Sequence, residues 1–267
     1  MRLSPPLLVA ALLAGCGVAP DEPIPDERLR AGERYGVPVE PASGRQPFAA
    51  TGFNAFIVNA AKSFGPGSYL WQGDGVTKTV SYQGTTIAKP YAAGKCMCVG
   101  ATFQVYMTAF EAWDAQHGKT GSLRGLSVAE VKQLKSIWYV ATSALEGSQA
   151  ALVKLGLGSA VAALDQAQPG DPVQFWRQNG SGHSVIFDSW VKSGGKITGL
   201  TYFSCNSGGP GFVTEPVGTG DKEIDVARIH VGHPLPPVEV PDGGAPEARP
   251  REAAVADQAA RLDAPSP

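Results

Sequence analysis

The stretch Lys95-Cys96-Met97-Cys98-Val99-Gly100-Ala101-Thr102-Phe103-Gln104-Val105-Tyr106 decides how this chain is read. Two cysteines stand one residue apart, and apolar residues then recur at helical spacing. Val99, Phe103, Tyr106, Phe110 and Trp113 fall at intervals of four, three, four and three, which is one buried stripe of a helix from Cys98 to Gln116. Cys98 is then the first residue of that helix. A thiol there meets backbone N–H groups without intrahelical acceptors and the positive end of the helix dipole. Both favour the thiolate, which is the nucleophilic form. Cys96 lies outside the helix and lacks this setting.

Outward from this helix, the chain divides in two. Upstream, residues 48–64 (FAATGFNAFIVNAAKSF) read as a helix closed by Gly65-Pro66-Gly67, and residues 68–93 hold short β-like pieces, SYLWQ, TVSYQ and TTIAKPY. Downstream, Ser127-Val128-Ala129-Glu130 is a capping box opening a helix through Tyr139, and a further short helix spans Gly147 to Leu155. After Pro169-Gly170-Asp171 come five β-rich runs, PVQFWR, HSVIFDSW, KITGLTYFS, GFVTEPV and EIDVARIHV. They are divided by NGSG, KSGG, NSGGPG and GTGDK, of which the first two are hairpin signals. Helices first and an antiparallel sheet second predict an α+β fold.

The chain has 267 residues, 43% hydrophobic and 17% charged, a globular composition with room for one sizeable domain plus tails. A net charge of −2 and the absence of a basic run give no electrostatic case for nucleic acid. Residues 1–16 read as a signal peptide: Arg2, a short apolar run over Leu7–Leu13, then Leu13-Ala14-Gly15-Cys16. These last four residues resemble the lipobox of bacterial lipoproteins, in which Cys16 would carry the lipid and anchor the chain to a membrane. Gly17 follows it, with no Asp there, which by the same resemblance favours the outer membrane. Residues 17–47, rich in Pro, Glu and Arg, read as a disordered tether, and residues 234–267 as a disordered Pro/Ala-rich tail. The folded domain is expected over 48–233.

A cysteine nucleophile needs a base, and the base an orienting partner. The chain has four histidines. His117 follows the helix end, and His230 and His233 lie at the far end of the domain. His183 opens a strand, and one strand later Asn206 offers a side-chain amide to hold its ring.

The order of these motifs is similar to that of the NlpC-type, papain-like cysteine peptidases and amidases. Cys98-Val99-Gly100-Ala101-Thr102-Phe103 resembles the family's nucleophile sequence, Gly182-His183-Ser184-Val185-Ile186-Phe187 its histidine strand, and Ser68-Tyr69-Leu70-Trp71-Gln72-Gly73 its upstream tyrosine motif. The resemblance spans residues 48–231. It implies a papain-like fold with N-terminal helices packed on the sheet. It assigns Cys98 as nucleophile, His183 as base, Asn206 as third residue, and Tyr69, with the Cys98 N–H, as an oxyanion donor. No cofactor or metal is called for. Two departures stand out: Met97 occupies a place where Asp or Asn is common, and residues 118–168 form a long insertion with helices of its own. With the cell-envelope address, the resemblance implies amide bonds in peptidoglycan peptides as substrate.

Other chemistry for the cysteines stays in view. Cys96, Cys98 and Cys205 with His183 would make a Cys₃His zinc site, but one intervening residue is tight for a structural zinc pair. A Cys96–Cys98 disulfide closes a strained ring. Cys96 with Cys205 is the better pair, bracing the site and leaving Cys98 as a thiol. Two other functions compete with hydrolysis: an inactive domain of the same fold that binds wall or protein, and a cysteine acyltransferase or deamidase.

Overall fold

The computed structural model describes residues 50–140 and 145–237. The signal peptide with Cys16, the tether at 17–47, Phe48 and Ala49, and the tail from residue 238 lie outside the described residues. In chain order the elements are α1 (Gly52–Lys62), β1 (Ser68–Tyr69), β2 (Val80–Tyr82), β3 (Thr85–Ala88), β4 (Lys95–Cys96), α2 (Cys98–Gln116), α3 (Val128–Trp138), α4 (Ser148–Lys154), β5 (Gly158–Ala160), β6 (Pro172–Arg177), β7 (Gly182–Ser193), β8 (Lys196–Asn206), β9 (Gly209–Pro216) and β10 (Ile224–Pro234). The fold is α+β. Six strands form one antiparallel sheet in the order β5-β10-β6-β7-β8-β9.

The late β-rich runs become strands because they are rich in β-branched and aromatic residues and because their turns carry the right residues. Between β7 and β8 the two central residues are Gly194 and Gly195, at φ 54° and 79°. Positive φ at both places is what a tight hairpin turn requires, and glycine takes it without a steric penalty. Residues 118–168 add what the sequence did not announce: β5, an edge strand paired to the end of β10. SYLWQ shrinks to the two residues of β1, which pair in parallel with β4, Ser68 opposite Lys95 and Tyr69 opposite Cys96.

Helix α2 is the axis of the molecule, and it is buried over much more than the expected stripe. Every residue from Cys98 to Met107 is buried. Phe53 of α1 meets Tyr106 edge-on at 5.8 Å, and Trp138 at the end of α3 covers Phe103 and Tyr106 at 5.9 and 5.2 Å. Ile186 and Phe203 of the sheet join the same core. Fully burying a side chain such as Phe103 contributes about 1.5–3 kcal/mol. Gln104 of α2 tolerates burial because it is bonded: its Oε1 accepts from the Thr77 N–H at 2.7 Å.

Two local devices hold the helices in place. The Ser127–Glu130 capping box is formed, with Ser127 N–H donating to Glu130 Oε2 at 2.8 Å and Glu130 N–H to Ser127 Oγ at 3.3 Å. Asp171 of the Pro169-Gly170-Asp171 turn is wholly buried. Its Oδ1 accepts from Asn54 Nδ2 at 2.8 Å and His233 Nδ1 at 2.9 Å, and its Oδ2 from the Gln168 N–H at 2.8 Å. This carboxylate ties α1 and β10 to the entry of β6. The fold also keeps residues 234–237, which were expected to belong to the tail. Leu235 N–H donates to Leu157 O at 2.8 Å and Arg124 Nη1 to Pro236 O at 2.9 Å.

Candidate active site

Cys98 is the first residue of α2, as its sequence implies. Met97 before it is extended, at φ −134° and ψ 165°, and provides no side-chain cap. Ala101 N–H is the first to bond back within the helix, to Met97 O at 2.9 Å. The three N–H groups before it have no acceptor inside the helix. The departure at Met97 therefore leaves the positive end of α2 without the capping oxygen that a shorter polar residue brings.

The helix start is pressed against the loop that follows β1. A Cβ added at Gly100 would lie 2.2 Å from Gly75 O and 2.3 Å from Asp74 O. Only a residue without a side chain lets that backbone sit on the first turn. Met97 N–H donates to Gly75 O at 3.1 Å in the same contact. Cys98 itself is wholly buried and packs with Met97 and Val99 against Tyr69 and Tyr139.

Cys96 and Cys205 are joined in a disulfide, with their Cα atoms 6.0 Å apart. The bond consumes two of the four donors that a Cys₃His zinc site would need, and leaves Cys98 as a thiol. It clamps β4, just before the helix that Cys98 opens, to β8, just before Asn206.

His183 lies on β7 with its ring between two aromatic side chains, Phe175 at 5.8 Å and Tyr202 at 5.7 Å. The residue is only 6% exposed, and its Nε2 has no hydrogen-bond partner among the described residues. The Trp176 indole covers Gly182 just before it, and is fixed by a 2.9 Å bond from Nε1 to Leu145 O.

One hydroxyl joins the two halves. Thr102 Oγ1 donates to the Cys98 and Val99 carbonyls at 3.1 and 3.2 Å, accepts from Trp138 Nε1 at 3.1 Å, and lies 2.9 Å from Ser184 Oγ. Thr102 is one turn from Cys98, and Ser184 is the neighbour of His183. The candidate nucleophile and the candidate base are thus held by a shared buried network that sequence reasoning missed. Nothing in the spacing of Thr102 and Ser184 marked it.

Asn206 ends β8 opposite Gly209, close to the start of β7. Its Oδ1 accepts from the Gly208 N–H at 3.0 Å, an Asx turn that shapes the hairpin. Among the described residues no hydrogen bond joins Asn206 to His183. Phe175 and Tyr202 make ring contacts with the imidazole. Tyr69 sits in β1 beside the Cys96 backbone, with its side chain on the Cys98 cluster.

Two further tyrosines belong to the site, Tyr139 packed on the Cys98 cluster and Tyr202 against the His183 ring. Tyr139, the C-cap of α3, donates its hydroxyl to Asp74 O at 2.6 Å. Burial first, then the charges of Asp74 and Cys98, push its pKa well above the ordinary phenol value. Val140 next to it has φ +58°, a strained conformation for a β-branched residue at the edge of the site. Tyr202 is wholly buried, with Glu215 near its hydroxyl. Burial chiefly, then Glu215, push its pKa up as well. Both tyrosines are neutral hydrogen-bond donors at any physiological pH.

His117 caps α2 with its ring stacked 4.1 Å from Trp113, and His233 is bound to Asp171, so neither stands with Cys98. No group of three or more metal-ligating side chains comes together among the described residues. No protein-family model, no curated protein and no solved structure matches the chain.

Proposed function

We propose that the chain is an exported, lipid-anchored cysteine hydrolase with a papain-like arrangement, acting on amide bonds, with peptidoglycan peptides as the leading substrate class. The observation that carries this reading is the 2.9 Å contact of Thr102, one turn from Cys98, with Ser184, next to His183: it holds a helix N-terminus without a side-chain cap against the strand of a buried histidine whose Nε2 has no hydrogen-bond partner among the described residues. In the reaction, the Cys98 sulfur attacks the amide carbonyl while His183 takes the thiol proton. The tetrahedral oxyanion is met by the Cys98 N–H and a tyrosine hydroxyl, Tyr69 being the one the family resemblance suggests. His183 then protonates the leaving amine. Water, deprotonated by His183, releases the acid from the acyl-enzyme.

The test is the rate at which iodoacetamide labels Cys98 against pH, in the wild type and in His183→Ala. Fast labelling at acidic pH that His183→Ala abolishes supports a thiolate–imidazolium pair. Digestion of wall peptides, followed by product mass, then separates hydrolysis from acyl transfer or deamidation. A second reading, an inactive binding domain, is favoured by one observation: Cys98 is wholly buried. An inert Cys98 in the same experiment selects it.

A further inference from the structure

A groove of about 350 Å³ runs along α3, lined by Ile87, Lys132, Lys135, Ser136 and Tyr139. Lys132, Lys135, Ser136 and Tyr139 lie at helical spacing, one stripe of α3 and its cap, while Val131, Leu134 and Trp138 fill the opposite, buried stripe. The groove ends at Tyr139, the residue packed on Cys98.

The charges in the groove do not cancel. Lys135 is paired with Asp74, also donates to Ile87 O at 3.1 Å, and stands 5.4 Å over the Tyr139 ring. Asp74 Oδ2 further accepts from the Lys89 N–H at 2.9 Å. The carboxylate of Asp74 is thus spent on Lys135 and backbone. Lys132 is exposed and forms no ion pair among the described residues. The groove therefore presents one uncompensated ammonium, one hydroxyl at Ser136 and one aromatic wall. That set suits a single carboxylate better than a phosphate dianion, which normally gathers several donors.

We propose that this groove is a subsite for a carboxylate carried by the amide substrate, with Lys132 as the residue that selects it. The inference rests on the hydrolase reading of Cys98. It gives the insertion a role in the site, because α3 brings both the wall beside the thiol, Tyr139, and the charge that recruits an acidic substrate along the groove.

Iodoacetate and iodoacetamide test it, because they are nearly the same size and differ in charge. The burial of Cys98 then cancels when the ratio of their rates, read at Cys98 by peptide mass spectrometry on the full chain, is compared between a variant and the wild type. Lys132→Gln is expected to lower the iodoacetate-to-iodoacetamide ratio about two- to fivefold at low salt, and Lys132→Glu further. The wild-type ratio is expected to fall as salt rises and screening grows. A ratio unchanged in both variants, with Cys98 still fast and dependent on His183, overturns the subsite and leaves the hydrolase reading standing. Failure of both reagents to label Cys98 overturns the hydrolase reading and the subsite with it.

Discussion

Thr102 Oγ1 and Ser184 Oγ lie 2.9 Å apart, and their contact fixes the start of α2 against the start of β7. It is a polar bond inside an apolar core, with Trp138 Nε1 as a third member. Such a network specifies one arrangement only while every member is satisfied.

Thr102→Val keeps the shape and removes the oxygen. Ser184 Oγ and Trp138 Nε1 then lose a buried partner, at about 1–3 kcal/mol for each group left unsatisfied. The expected result is a lower urea midpoint and slower Cys98 alkylation. Ser184→Ala is expected to cost less, because Thr102 keeps Trp138 and two carbonyls. Equal losses in the two variants, or none in Thr102→Val, contradict this account.

At Gly100 two effects oppose each other. Alanine in place of glycine inside a helix stabilises by about 1 kcal/mol. Here the added carbon meets two backbone oxygens at 2.2 and 2.3 Å, which no rotamer change relieves. Overpacking of this kind costs about 1–3 kcal/mol, occasionally more, so Gly100→Ala is expected to lower the melting temperature. The loop at Asp74–Gly75 must move, so Cys98 labelling is expected to change as well. A more stable variant would mean that helix propensity decides at this position.

How much was legible in the sequence follows from the range of the interactions involved. Local chemistry was readable: the capping box at Ser127, the glycine turn between β7 and β8, and the helix opening at Cys98 each depend on neighbours in the chain. The α+β order followed from those elements. The breadth of α2 burial did not, because α1, α3 and the sheet reach it from distant positions. The pairing of Cys96 with Cys205 was reached by setting aside the strained Cys96–Cys98 ring. Thr102–Ser184, Tyr139 and Tyr202 carried no local signal, since their partners are fixed only when the chain has folded. Asn206 looked like a ring-orienting amide because it stands at the right end of β8, but the turn it begins uses its oxygen.

The Cys96–Cys205 bond links residues 109 apart in sequence. Constraining a loop of about 100 residues in the unfolded chain is worth about 4.7 kcal/mol on the chain-entropy estimate, and measured losses run about 2–5 kcal/mol. The Cys96→Ala, Cys205→Ala double variant is expected to unfold at clearly lower urea, as is the wild type under strong reductant. Of the three domain cysteines, Cys98 alone is expected to react with a maleimide in the unfolded, unreduced chain. Three reactive domain thiols before reduction would show that the bridge does not form.

Tyr106 sets a test of pH with a definite sign. Its hydroxyl is wholly buried between Phe53 and Trp138 and has no hydrogen-bond partner among the described residues. Burial raises its pKa far above the ordinary value of 10.0. The folded chain then holds a proton that the unfolded chain releases above pH 10. Stability is fully present below that pH and falls as pH rises, by up to about 1.4 kcal/mol per unit for each such tyrosine. Tyr82, Tyr139 and Tyr202 are shifted the same way and add to the slope. Tyr106→Phe removes one share of it. At neutral pH the same change breaks no hydrogen bond and relieves a buried polar atom, so stability should hold or rise by up to about 1 kcal/mol. Urea midpoints at pH 8 and pH 11 read both effects. A variant weaker at pH 8 would mean that the hydroxyl has a bonding partner after all, and an unchanged loss between pH 8 and pH 11 would mean that Tyr106 does not hold its proton in the fold.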